Sequence, residues 1–324
     1  MTKKFSIIIP VAPEREVEIL SSLKELDYPK TDFNVIVIKG TNPSDNRNKG
    51  AEKATGNILV FLDDDGVVEK NYLKNLENFF YSHPEIDIVG GPQLTPKDEK
   101  GFAKISGYAL SSKFGAANVA GRYKGKLNLN AGECDLTSAN MACKKEVTKK
   151  IKFDTNLFPG EDPKFIEDAK KAGFKIACSP EFVIYHRRRP DAKSFIKQIF
   201  NYGKVRPQKE KFIDTLKKPF FLIPSLFVVY ILFLLGISVP RMAITGSVIS
   251  ATVILDNLFF LPLIAYTILN ILFSLYESLK NKDFKSVFVL PVVYFMIHLS
   301  YGTGMIYGYL RKLIKQDEKE NSFN

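Results

Sequence analysis

Cysteine is scarce in this 324-residue chain. Cys134, Cys143 and Cys178 are its three, too few and too unevenly spaced for a disulfide framework or a CxxC metal site, so free buried thiols are expected. Glycine is missing from PVAPERE, residues 10–16, the loop after the first apolar run. That argues against a sugar-phosphate nucleotidylyltransferase, which shares an α/β sheet but carries a Gly-rich signature there. No small-residue cleavage site precedes Glu14, so the short run from Phe5 to Ala12 reads as a buried strand and not as a signal peptide. The soluble part is then expected to stay in the cytoplasm. A basic motif interleaved with aromatic residues is lacking too, which sets nucleic acid aside as a partner.

Charge is absent from residues 219–239, PFFLIPSLFVVYILFLLGISV. As a helix this stretch reaches about 31 Å, enough to cross the hydrocarbon core. Composition changes sharply at this point and predicts four parts: a soluble domain over 1–190, a basic amphipathic segment over 191–218, a membrane region over 219–310 and a polar tail over 311–324. The formal net charge of +11 is concentrated before the first span, where residues 187–218 hold 11 Lys and Arg against 3 Asp and Glu. A cytoplasmic flank is expected to look like this, and it would attract anionic lipid headgroups. Phe195, Ile196, Ile199, Phe200 and Tyr202 fall toward one side of residues 193–217, which predicts a helix lying in the bilayer interface; an ordinary surface helix would show the same pattern. Residues 242–279 fit either a hairpin turning at Asp256 and Asn257 or a single crossing, and 286–310 fit one more, leaving three or four crossings open. In the last of these, Gly304 and Gly308 have the spacing of a close helix contact, and His298 is expected to hydrogen-bond between helices.

The soluble part alternates strand and helix. Phe5–Val11, Asn34–Ile38 and Ile58–Leu62 are short β-branched runs, and Asp87–Val89 is a fourth. Between them, residues 14–26 place Val17, Leu20, Leu23 and Leu26 at helical spacing, Asp45–Thr55 reads as a short polar helix, and Asn71–Ser82 as another. The region from Pro96 to Glu133, rich in Lys, Gly and Ser, lacks clear periodicity and is expected to be a mobile, substrate-covering region. Residues 160–173 predict a helix that opens on Glu161 and Asp162, followed by a strand over Lys175–Ser179. Such alternation predicts a mostly parallel α/β sheet whose ligands bind beyond the carboxyl ends of the strands.

Asp63, Asp64 and Asp65 stand at one of those ends. Three adjacent carboxylates repel one another unless a cation intervenes, and a hard divalent ion would relieve the repulsion while binding a diphosphate. A solvated turn accounts for the triplet alone equally well. Acids at the first turn of a helix, as at Glu161 and Asp162, are also simply favourable to its dipole.

The string from Arg47 to Leu73, RNKGAEKATGNILVFLDDDGVVEKNYL, resembles the donor-site segment of the family 2 glycosyltransferases. SIIIP at 6–10, TSANM at 137–141 and the stretch from Gly160 to His186 resemble its first strand, its acceptor-side segment and its ED-containing helix with the following strand. The resemblance implies a GT-A-like, Rossmann-type sheet and an inverting, metal-assisted sugar transfer. It implies Asp65, with Asp63, as ligands of Mg²⁺ or Mn²⁺, and Pro10, Ala12, Glu14, Arg47, Asp63 and Asp64 as donor-side residues. Asp162, with Glu161 beside it, takes the role of general base. Asn140 and the run Arg187, Arg188 and Arg189 are placed at the acceptor or at a phosphate. Lys39 and Gly40 stand where that family usually places acids that recognise the nucleotide base, and the QxxRW motif of processive members is absent, since Gln198 is followed by IFNYG.

The implied function is transfer of a single sugar from a nucleotide-sugar donor to a lipid-linked or glycan acceptor, by a cytoplasmic domain on a multi-pass membrane anchor. A polyprenyl-phosphate monosaccharide synthase is the neighbouring alternative within that chemistry. A non-catalytic membrane scaffold with a decayed donor site is the alternative outside it.

Overall fold

The computed structural model describes residues 3–242 and 252–321. It divides into two units, Met1–Arg189 and Pro190–Asn324.

The first unit is built on nine strands: β1 Phe5–Val11, β2 Phe33–Lys39, β3 Ile58–Leu62, β4 Gly66–Val68, β5 Ile88–Gly90, β6 Gln93–Leu94, β7 Asn140–Lys144, β8 Ile176–Cys178 and β9 Ile184–His186. Six form one sheet in the order β2-β1-β3-β7-β5-β8, and three form a smaller sheet, β4-β9-β6. In the large sheet only β7 runs against its neighbours, β3 and β5; the other pairings are parallel. The mostly parallel α/β sheet expected from the strand and helix alternation is therefore what forms.

Local chemistry explains why. Every residue of β1, FSIIIPV, is buried, as a strand covered on both faces must be, and its β-branched side chains suit that setting. Pro10 interrupts the run without cost on the β3 side, because the β1–β3 ladder ends at Ile8–Phe61. Two apolar layers cover the sheet. One gathers Phe5, Ile7, Ile9, Val60, Leu62, Tyr72, Leu76 and Phe79; the other gathers Ile8, Leu59, Phe61, Phe153, Phe165 and Ile166.

Two helices supply residues to the acid-bearing edge of the sheet. Pro43–Lys53 begins with Pro at its first position and Asn42 as cap, the Asn42 side chain accepting from the Asp45 amide at 3.1 Å. Its Gly50 lies so close to β1 that a Cβ there would collide with Ile8. Glu161–Lys171 starts from Gly160 at φ 121°, a conformation open to glycine and strained for other residues. Phe165 of this helix stacks on Phe153 with centroids 4.2 Å apart, and Phe153 meets Phe61 of β3 edge-on at 5.3 Å. The helix is thus keyed to the strand that precedes the acid triplet.

Two expectations are corrected. The helical spacing over 14–26 produces only one short helix, Leu20–Lys24, because Val17, Leu20, Leu23 and Leu26 find the core from a largely irregular segment. The region from Pro96 to Glu133 is not structureless: it holds the helix Gly101–Ser111, a short turn of helix at Lys113–Ala116 and a 3₁₀ segment at Ala117–Tyr123.

The second unit is helical: Ala192–Lys209, Phe212–Leu216, Ile223–Met242, Thr252–Lys280 and Leu290–Asn321, with 3₁₀ turns at Pro219–Phe221 and Phe284–Phe288. Among the described residues, Pro219–Gly236 and Leu258–Lys280 are long and apolar enough to cross a membrane. The backbone of Thr252–Lys280 continues through positions 256 and 257 and does not turn there. Ala192–Lys209 packs along Leu290–Asn321 through small residues: a Cβ on Gly203 would strike the Tyr301 carbonyl, one on Gly304 that of Phe200, and one on Gly308 that of Lys204. The small-residue spacing at 304 and 308 therefore serves a contact inside this chain. His298 Nδ1 lies 3.0 Å from the Tyr266 hydroxyl, the interhelical hydrogen bond expected of it.

Candidate active site

Topology gathers the chemistry at one edge of the large sheet. Because β7 runs antiparallel to β3 with Asn140 opposite Leu62, the residues entering β7 lie beside the acids leaving β3. Because β4 pairs with β9 with Gly66 opposite His186, the end of β9 is brought beside Asp65.

At the centre is Arg47, buried on the helix Pro43–Lys53. Its guanidinium donates to Glu161 Oε1 at 2.9 Å and to Asp63 Oδ1 at 3.2 Å, lies 3.8 Å from Asp162 Oδ1, and sits over the Phe153 ring at 5.5 Å. One cation thus joins the acid triplet to the helix acids. Burial works against its charge, but Asp162, Asp63 and Glu161 together hold it firmly protonated. Glu161 is itself buried, and burial with Asp162 alongside pushes its carboxyl up to about 7. Asp162 is more open, with 19% of its side chain exposed, and accepts a hydrogen bond from the Ser138 hydroxyl on Oδ1.

The triplet is divided among different partners. Asp63 is pushed above the usual range by burial, with Arg47 and His186 pulling the other way. Asp64 is buried, its carboxyl pushed up to about 6 by burial against the pull of Arg15, and its Oδ2 has no hydrogen-bond partner. Burial would raise Asp65 as well, but His186 Nε2 at 3.0 Å and Arg15 Nη2 at 2.8 Å hold it well below the carboxylate range. Burial disfavours charge on His186, yet Asp65 and Asp63 raise it.

Asp63, Asp65 and His186 each offer a ligand atom, all within 4.8 Å of one another. Two carboxylates and an imidazole form a donor set for one divalent cation, and the unsatisfied buried oxygen of Asp64 adds to the local negative field that would draw it in. The residues present therefore fit such an ion.

Of the residues singled out in the sequence, Arg47, Asp63, Asp64, Asp65, Glu161 and Asp162 come together. Pro10 is buried in β1, while Ala12 and Glu14 are exposed in the loop after it. Asn140 is buried, and its amide is committed to structure: Oδ1 accepts from Tyr72 at 2.6 Å, and Nδ2 donates to the carbonyls of Phe182 at 2.8 Å and Pro92 at 3.3 Å. Arg187 ion-pairs with Asp98 at 3.1 Å, Arg188 bonds Thr95 at 3.1 Å and lies 4.8 Å over the Tyr123 ring, and Arg189 is exposed. Sequence reasoning missed His186, Arg15 and Ser138. Each reaches the site through non-local strand pairing or a cross-loop bond that no local spacing announces.

An α/β sheet with an acid turn at its carboxyl edge, faced by a helix that opens on paired carboxylates, is the arrangement of a GT-A-like glycosyltransferase domain. Residues 12–152 match the family model described as Glycosyl transferase family 2. The chain is 29% identical over 199 residues to the minor teichoic acid biosynthesis protein GgaB of Bacillus subtilis, covering 59% of this chain and 21% of that protein. It is 23% identical over 236 residues to a dolichyl N-acetyl-alpha-D-glucosaminyl phosphate 3-beta-D-2,3-diacetamido-2,3-dideoxy-beta-D-glucuronosyltransferase of Methanococcus voltae, covering 62% and 72% respectively. This chain thus spans only about a fifth of GgaB but most of the archaeal relative. Among solved structures, S. aureus TarS 1-349 aligns at 19% identity and a TM-score of 0.44, covering 61% of this chain and 63% of that one.

Proposed function

We propose that the protein is an inverting glycosyltransferase that moves one sugar from a nucleotide-sugar donor to a lipid-linked or glycan acceptor at the membrane. The observation that carries this reading is Arg47, which ties Asp63 of the acid triplet to the helix bearing Glu161 and Asp162 in a chain that matches the family 2 model.

The acids divide the work by burial. Glu161, buried and bonded to Arg47, positions; Asp162, more open and bonded through Oδ1 to Ser138, keeps Oδ2 for an acceptor hydroxyl. As the acceptor oxygen bonds to the anomeric carbon, its proton passes to Asp162, and the bond from that carbon to the donor diphosphate breaks with its electron pair on the diphosphate. Attack opposite the leaving group inverts the configuration. Asp63, Asp65 and His186 would hold Mg²⁺ or Mn²⁺, whose charge would stabilise the departing diphosphate. Pro10, Ala12 and Glu14 stand on the donor side of this arrangement, at the carboxyl end of β1.

A lipid-linked acceptor accords with the two apolar segments of the second unit and with the archaeal relative, which is named for a dolichyl phosphate-linked acceptor. The basic run Arg187–Lys218 favours a cytoplasmic catalytic unit on a multi-pass anchor, with Arg189 free to meet lipid or acceptor phosphate.

The test is donor binding and turnover in detergent across UDP-, GDP- and dTDP-sugars with Mn²⁺ or Mg²⁺. We expect one donor to bind with metal, Asp65→Ala to abolish that binding, and Asp162→Asn to keep binding while losing turnover. Absence of donor binding across the panel would leave a membrane scaffold as the better account.

A further inference from the structure

Arg15 has no part in the transfer chemistry proposed for the acids. It lies in the exposed loop after β1, at the edge of the sheet where ligands of such folds bind. Its guanidinium crosses to the acid turn, with Nη2 2.8 Å from Asp65 Oδ2 and Nη1 3.1 Å from Asp64 Oδ1. The side chain remains 52% exposed, so it is held by these two carboxylates and not by burial. Asp65 is also one of the three residues whose atoms could share a cation, and its other oxygen faces His186.

A guanidinium and a divalent ion that draw on the same carboxylate compete for it. Removing Asp65 from Arg15 leaves a forked, permanently charged donor beside the acid turn, on a side chain that is half exposed. Arginine forks match phosphate oxygens in geometry and charge.

Resting on the metal-assisted donor reading, we propose that Arg15 is an exchangeable cation of the donor site: it pairs with Asp64 and Asp65 in the free protein, and moves to the diphosphate of the nucleotide when Asp65 is taken up by the metal. The arginine thus weakens binding of the ion alone and strengthens binding of the ion together with a nucleoside diphosphate. A purely structural ion pair would also weaken binding of the ion alone, but it would not strengthen binding of the nucleotide.

The experiment titrates the full chain in detergent with Mn²⁺ alone, followed by electron paramagnetic resonance. It then measures binding of UDP, GDP and dTDP at saturating Mn²⁺ by calorimetry. For Arg15→Ala we expect Mn²⁺ alone to bind about fivefold tighter than to wild type, and the nucleotide that wild type prefers to bind about tenfold weaker. Arg15→Lys, which keeps the charge and loses the fork, should lie between. A thermal melt checks that each variant is folded. If wild type binds Mn²⁺ and Arg15→Ala binds it no tighter, or if nucleotide affinity is unchanged, the role of Arg15 is overturned while the metal reading stands. If wild type binds no Mn²⁺, both fall.

Discussion

Gly66 and His186 face each other across the antiparallel pairing of β4 and β9, which sets the His186 imidazole 3.0 Å from Asp65, although the two lie more than a hundred residues apart. Two very short strands therefore complete a cluster that the acid triplet alone would leave with oxygen atoms only. His186→Ala should weaken Mn²⁺ binding by about tenfold or more in a spectroscopic titration of the full chain. An unchanged affinity would take His186 out of the ligand set.

Ser138 donates its hydroxyl hydrogen to Asp162. Hydrogen bonds to charged groups contribute about 1.5–3 kcal/mol, so Ser138→Ala should lower kcat by about tenfold or more while leaving the KM for donor nearly unchanged. Ser138→Thr, which restores the hydroxyl, should recover most of the rate. Loss in both variants alike would point to packing of this buried residue and not to its hydrogen bond.

Arg47 is the counter-ion of a buried carboxylate. Arg47→Ala would leave Glu161 without its partner and should destabilise the first unit by about 3 kcal/mol or more in denaturant melts. Adding Glu161→Gln should restore part of that loss, so the double variant is less destabilised than the two single effects combined. Full additivity would show that the pair is not coupled.

Glu161 also predicts a pH dependence. Burial raises its carboxyl from 4.5 to about 7, so the folded protein holds this proton more tightly than the unfolded chain does. Its contribution is fully present below the unfolded value and is lost as pH rises through the folded one. In the presence of chelator, the stability of wild type relative to Glu161→Gln should therefore fall between about pH 4.5 and 7. A difference that stays flat across that window, in thermal melts taken at stepped pH, would mean that Glu161 is ionised throughout.

What the sequence makes legible depends on what each residue type can announce. β1 and β3 are legible with the boundaries observed, because FSIIIPV and ILVFL are apolar runs with β-branched residues that end in turn formers. Asp63, Asp65 and Asp162 stand out because acids directly after a strand, or at a helix start, are local patterns. The helix Gly101–Ser111 is hidden, since its buried residues are Ala103, Ser106, Gly107, Ala109 and Leu110, mostly small residues that do not register as an apolar stripe. Strands β4, β6 and β9 have two or three residues each and owe their existence to pairing partners far away in sequence. The motif around Asn140 points it at the acceptor, whereas its amide is consumed by Tyr72, Phe182 and Pro92 in fixing the entry to β7.

The contact of Ala192–Lys209 with Leu290–Asn321 has a mechanical consequence. At Gly203, Gly304 and Gly308 it is backbone that lies against backbone. Neither helix can roll about its own axis without driving a Cα into a carbonyl oxygen, and no side-chain rotamer is available to absorb the movement. The pair should therefore behave as a single torsionally stiff rod, passing a twist at one end to the other with little lost along its length.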